Sequence, residues 1–123
     1  MHNRINQFEI WKVNLNPAKG SEQKGERPCL ILQTNASSDY GRTTIIAPIT
    51  TKKIDKIYPF EVKIEISSSS GLKQVLKIKL DQVRVIDKNR LIKKLGKIEQ
   101  KDFNQVQQAL EIIFDMAGDF RKK

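Results

Sequence analysis

The spacing of apolar residues changes once along this chain, and that change constrains the fold more than any other feature. Up to about residue 86 apolar positions alternate with polar ones or run together, whereas beyond Gly96 they recur every third and fourth residue. "YPFEVKIEI" (58–66) sets Phe60, Val62, Ile64 and Ile66 against Glu61, Lys63 and Glu65, the pattern of a strand with one buried and one wet face. "FEIWKVNL" (8–15) places Phe8, Ile10 and Lys12 on one side and Glu9, Trp11, Val13 and Leu15 on the other, which predicts a partly buried strand. "RPCLILQ" (27–33) is a continuous apolar run suited to a strand covered on both faces, with Pro28 at its first positions, where a missing ladder donor is tolerated. "TTIIAPITT" (43–51) predicts a third strand, and the proline inside it predicts a bulge or a sheet edge near Thr50.

The "SSSSG" stretch (67–71) reads as a loop, and "QVLKIKLDQVRVI" (74–86) is too long to stay straight, so a bend is expected near Asp81 and Gln82. "DKNRLIKKL" (87–95) is expected to form a short helix. Phe103, Val106, Leu110, Ile113, Phe114 and Ala117 define an amphipathic helix over about 99–117. Glu99 and Asp102 fall in its first turn and Arg121, Lys122 and Lys123 beyond its end, both favourable to the helix dipole. Short strands followed by a terminal helix predict a mainly β architecture, a small twisted barrel or curled sheet with the helix packed on it. The 123 residues suffice for one core but not two, so a single domain over 1–123 is expected.

Lys and Arg number 23 against 14 Asp and Glu, and the net charge of +9 biases the chain toward polyanions, nucleic acid first. His2 is the sole histidine and lies at a terminus expected to fray, so neither a histidine acid–base pair nor a zinc site is credible, and no metal or cofactor is called for. "KGSEQKG" lacks the spacing and the Lys-Ser or Lys-Thr ending of a phosphate-binding loop, and there is no serine-hydrolase elbow. Cys29, alone and beside apolar residues, reads as a small core residue in a reducing compartment. No apolar segment approaches the roughly 20 residues of a membrane helix, and there is no signal peptide, so the cytoplasm is the expected location.

What remains for chemistry is Arg27 after a polar loop, Thr50 and Thr51 beside Pro48, and Asp81 with Gln82 where a long strand must bend. "EIWKVNLNPAKGSEQKGERPCLIL", "IIAPITT", "YPFEV" and "LDQVRVIDKNRL" occur in that order, and with them the chain resembles, over roughly residues 8–118, the MazF and PemK toxins. These are the ribosome-independent endoribonucleases of toxin–antitoxin modules. The resemblance implies an SH3-like barrel with helices, a homodimer, and metal-independent cutting of single-stranded RNA, the mRNA of the cell. It also implies a cognate antitoxin whose acidic, disordered tail lies across the RNA groove. By the same resemblance Arg27 and Thr50 match the family's catalytic arginine and threonine. Asp81 and Lys79 stand where some relatives carry an acidic and a basic catalytic residue, and Glu22 matches a loop glutamate implicated in activity. Certain relatives place a histidine where this chain has Ser21, so their acid–base assignment does not transfer.

Metal-free cleavage of RNA uses the neighbouring 2′-hydroxyl as nucleophile, and it needs a base, a charge stabiliser and a proton for the departing 5′-oxygen. An arginine with a pKa above about 12 would be deprotonated only at a cost of roughly 7 kcal/mol at pH 7, so Arg27 suits the charged fork that grips phosphate oxygens rather than the base. Thr50 would add a hydroxyl donor, and Asp81 and Glu22 are the open candidates for the base. Each has a plainer explanation: an ion pair of Arg27 with Glu26 or Glu22, strand propensity for Thr50, a turn cap for Asp81. Their joint occurrence with the family segments favours function for Arg27 and Thr50 and leaves Asp81 balanced. Lys24, Arg42, Lys52, Lys53, Lys56, Lys79 and Arg84 are expected to follow an RNA backbone. Trp11 reads as core or dimer contact. Two other functions could use such a barrel, a gyrase poison of the CcdB type and an RNA binder that does not cut. The first is disfavoured because Trp11 is the sole tryptophan and the tail reads "GDFRKK". Which ribonucleotides are cut would depend on loops 34–42 and 51–58.

Overall fold

The computed structural model describes residues 4–65 and 70–115. The sequence folds as β1 (Glu9–Asn14), β2 (Glu26–Ile31), a one-turn helix α1 (Asn35–Ser38), β3 (Thr43–Thr50), β4 (Glu61–Ile64), β5 (Leu76–Lys79), β6 (Arg84–Asp87), β7 (Leu91–Lys97) and helix α2 (Gln100–Ile113). The strands form one sheet in the order β4-β5-β3-β2-β1-β7, with β6 also on β3, and every pairing is antiparallel. This is the expected mainly β architecture with a C-terminal helix. Ile66, the first three serines of the "SSSS" run, Ala117, the basic tail and His2 lie outside the described residues.

Alternation along the central strands divides the interior in two. Ile10, Leu30, Ala47 and Ile49 point to the side closed by β4, β5 and α2, where Val62, Ile64, Ile78, Leu80, Val106 and Ala109 join them. Trp11, Val13, Cys29, Ile31 and Ile46 point the other way and pack with Leu15, Ile86 and Leu91. The "CLI" run is apolar without interruption because both of its faces are covered, as expected, and each of its side chains is almost fully buried. On α2 the stripe is narrower than its sequence suggests. Val106 and Ala109 are buried, Leu110 and Ile113 are partly covered, and Phe103 stays accessible, its ring edge-on to Phe8 at 5.3 Å.

Two expectations are corrected. The segment 87–95 is not a helix: a three-residue 3-10 turn (Lys88–Arg90) leads into β7. β7 pairs with β1 through two register shifts, between Ile10 and Trp11 and between Lys12 and Val13, and these erase the strand alternation from its sequence. Nor does Pro48 put β3 at an edge, for β3 is central. It pairs with β6 up to Ile46 and with β5 from Ile49, so Pro48 falls in the handover, where a missing donor breaks no ladder. The expected bend near Asp81 is present as a 3-10 turn over Leu80–Gln82 between β5 and β6.

Candidate functional site

A second proline opens the site. The Leu32 N–H donates to the Ile45 carbonyl at 2.9 Å, and alternation makes Leu30/Ala47 and Pro28/Ile49 the next pairs that would exchange such bonds. Pro28 has no N–H to give, and the ladder between β2 and β3 ends one pair earlier, at Cys29 opposite Pro48. Beyond that point lies a cleft of about 530 Å³. Ile49, Leu72 and Leu76 give it apolar surface, and Lys24, Arg27, Thr51, Lys73 and Gln74 supply polar groups.

Arg27 is half-buried at the start of β2, opposite Val13. Its Nε donates to the Lys24 carbonyl at 2.6 Å, which fixes the head of the side chain while leaving both terminal nitrogens of the fork uncommitted by that bond. Among the described residues it forms no ion pair: Glu26 is held by Lys12 at 3.3 Å instead, and the Glu22 carboxylate turns back to accept from the Lys19 N–H at 2.5 Å. Past the last pair, Cys29 with Pro48, Arg27 on β2 and Thr50 on β3 each stand two residues along their strands. Thr50 itself is only 2 % exposed, and its Oγ1 accepts from the Lys52 N–H at 3.1 Å, starting the turn that carries Lys52, Lys53 and Lys56.

Glu22 and Asp81 lie in a neighbouring cleft of about 330 Å³. Ser21, Glu22 and Gln23 form one wall, Asp81, Gln82, Val83 and Arg84 the other, and Pro48 lies between. Arg84 Nη1 donates to the Leu15 carbonyl at 3.3 Å. The clefts adjoin: Cys29, next to Pro28 and opposite Pro48, lies in the fields of both Arg84 and Arg27. Burial nevertheless dominates and pushes its thiol up to about 12, so Cys29 is an inert core group, as expected.

Of the basic residues singled out by sequence, Lys24 lines the first cleft and Arg84 the second. Arg42 lines neither and lies where the Lys88 N–H bonds its carbonyl, beyond α1. Lys79 is taken up by Glu61, whose Oε2 accepts from it at 2.9 Å, while Glu61 Oε1 accepts from Lys77 at 2.9 Å and from the Tyr58 N–H at 3.0 Å. Lys77 also donates to the Lys56 carbonyl at 3.1 Å. Sequence reasoning named Gln82 only with Asp81 at the bend and Lys79 only by resemblance or as an RNA contact, and did not single out this buried network or the contacts Gln82 makes. A glutamate and two lysines on neighbouring strands read as ordinary wet-face charges unless the pairing of β4 with β5, which faces Glu61 to Lys79 and Lys63 to Lys77, is already known.

Residues 6–114 match the model of a family described as PemK-like, MazF-like toxin of type II toxin–antitoxin system. The chain belongs to this family. It is 33% identical over 112 residues to endoribonuclease MazF9 of Mycobacterium tuberculosis, covering 88% of this chain and 94% of the relative. Over 104 residues it is 36% identical to endoribonuclease MazF of Staphylococcus saprophyticus, covering 85% and 86%. Among solved structures, MazF from Deinococcus radiodurans superposes with a TM-score of 0.78 at 25% identity, covering 94% of this chain and all of that one. A mycobacterial endoribonuclease in complex with its cognate antitoxin shares the fold, with a TM-score of 0.75 at 18% identity over 92% of this chain and 97% of the other. In this PemK-like, MazF-like chain three of the segments that carry the sequence resemblance reach the clefts: 9–32 and 45–51 line both, and 80–91 lines the second.

Proposed function

We propose that this chain is the toxin of a type II toxin–antitoxin module and an endoribonuclease that cuts single-stranded mRNA without a metal, by attack of the 2′-hydroxyl. The observation that carries the reading is Arg27: a permanent cation on the wall of an open cleft, braced at Nε by a carbonyl and with no carboxylate neutralising it among the described residues. Such a group is available to a phosphate, and its fork strengthens its hold as charge builds on the phosphorane oxygens. Thr50 contributes through its hydroxyl proton, which the bond that Oγ1 accepts from the Lys52 N–H leaves uncommitted. Asp81 and Glu22 share the adjoining cleft, and one of them serves as the base; Asp81 is the better placed, because a Glu22 oxygen is occupied by its own loop. Lys24 and Arg84 contact the backbone of the RNA, with the lysines after Thr50 farther along its path.

The enzyme works in the cytoplasm as a homodimer. Val85 and Ile92, exposed on β6 and β7, are apolar surface that a second copy would cover. A cognate antitoxin with an acidic, disordered tail complements the +9 charge. In excess EDTA, purified protein is expected to cut a mixed single-stranded RNA at discrete sites and leave 2′,3′-cyclic phosphate ends, and intact RNA would defeat the assignment. With Lys24, Arg27 and Arg84 on three phosphates, the logarithm of affinity should fall with a slope of about −2 against the logarithm of salt. For Thr50, replacement by serine should preserve cutting, while replacement by valine lowers it about a hundredfold. Equal rates in the two variants would remove Thr50 from the chemistry.

A further inference from the structure

The loop between β1 and β2 carries Glu22 and ends at the carbonyl that braces Arg27. Most of its hydrogen bonds are local: Glu22 and Lys19 bond each other twice, and Gly25 closes its base on Leu15 and Asn16. Among the described residues, one side chain ties the segment from Pro17 to Lys24 to a distant part of the chain. Gln82 Oε1 accepts from the Gln23 N–H at 3.0 Å, and its Nε2 donates to the Ser21 carbonyl at 3.2 Å. We infer that Gln82 is a positioning residue that clips this loop across the second cleft and thereby sets Arg27 for reaction.

The geometry restricts what could replace it. Ser21 and Gln23 present a carbonyl and an N–H two residues apart, as one edge of an extended strand does, and the primary amide supplies the matching donor and acceptor. A glutamate at pH 7 keeps the acceptor but sets a charge against the Ser21 carbonyl, and a lysine or arginine has no acceptor. The clip is rigid at its origin, because Gln82 ends a 3-10 turn anchored by the fully buried Leu80. It bears on both walls of the second cleft, straddles Glu22, and grips the residue next to Lys24, whose carbonyl holds Arg27 Nε. Releasing it frees the loop to swing, and the guanidinium loses its fixed brace. Gln82 acts through the loop, so RNA held mainly by surface cations should still bind.

This inference rests on the nuclease reading, and the experiment separates the two. Steady-state cleavage by Gln82→Ala should show kcat reduced about ten- to a hundredfold, the scale of a modest misplacement of a reacting group, with KM changed less than about twofold. The Gln23 amide should exchange faster with solvent in that variant. Gln82→Glu should recover activity relative to the wild type as pH falls toward the carboxyl range near about 4.3, where a protonated carboxyl again offers both donor and acceptor. An unchanged kcat in Gln82→Ala, or a Gln82→Glu ratio flat with pH, overturns the clip while cutting by the wild type keeps the nuclease reading. An inactive wild type refutes the nuclease reading, and the catalytic part of the clip with it.

Discussion

Cleavage by Arg27→Ala is expected to fall about a thousandfold, equivalent to about 4 kcal/mol of transition-state stabilisation, with the fold retained. The side chain makes a single described hydrogen bond, to the Lys24 carbonyl, and takes part in no described ion pair, so little of the structure depends on it. Single-turnover rates on a short single-stranded RNA, beside circular dichroism of the same sample, measure both. Arg27→Lys should be nearly as slow, because a compact ammonium lacks the planar fork that rests one nitrogen on a carbonyl and presents a separate pair to two phosphate oxygens. A folded Arg27→Ala protein that cuts at the wild-type rate would refute the role assigned to this cation. If Arg27→Lys were fully active, charge alone and not the fork would be what the site requires.

The sequence made some parts of this protein legible because their determinants are local. Strands β1 to β5 are signalled by alternation or by apolar runs, the terminal helix by its period, and the break after Leu80 by the excess length of its segment. Other features depend on pairing. β7 looked helical because two bulges against β1 shift its alternation, and Pro48 looked like an edge residue because the exchange of partners on β3 is invisible from one strand. Arg27 could be picked out because a cation between a polar loop and an apolar run is conspicuous. Gln82 stands out in the sequence only as part of the bend, and its contacts cannot be read there, because its partners lie 59 and 61 residues away and are backbone groups, which have no signature in sequence. The resemblance named Lys79, but the fold commits it to Glu61, a contact that follows from the β4–β5 register.

That contact leads to the largest expected effect on stability. Lys77→Met should destabilise the protein by about 3 kcal/mol at pH 7, the lower end of the cost of removing one member of a buried charge pair, because Lys79 and the Tyr58 N–H still reach Glu61. The side chains of Lys77 and Glu61 are 3 % and 1 % exposed, so water cannot take the place of the lost ammonium. Burial acts to raise the Glu61 pKa, yet hydrogen bonds from the Tyr58 N–H, Lys77 and Lys79 outweigh it and hold the carboxyl below its usual value. A depressed carboxyl pKa contributes stability that is present above the unfolded value of about 4.3 and is lost as pH falls through the folded value. Without Lys77 the burial effect is less opposed, so the Glu61 pKa rises, and protonating the carboxyl relieves part of the cost of the missing ammonium. Urea melts of the wild type and Lys77→Met at pH 7 and pH 5 test this, with the gap between them narrowing at the lower pH. Glu61→Leu combined with Lys77→Met should recover much of the loss, since an apolar pair needs no compensation and the partly exposed Lys79 can turn to solvent. A single variant as stable as the wild type would mean that Glu61 has water or a proton where the buried pair is drawn, and the turn from Lys52 to Tyr58, held by Lys77 and Glu61, would then lack its main anchor.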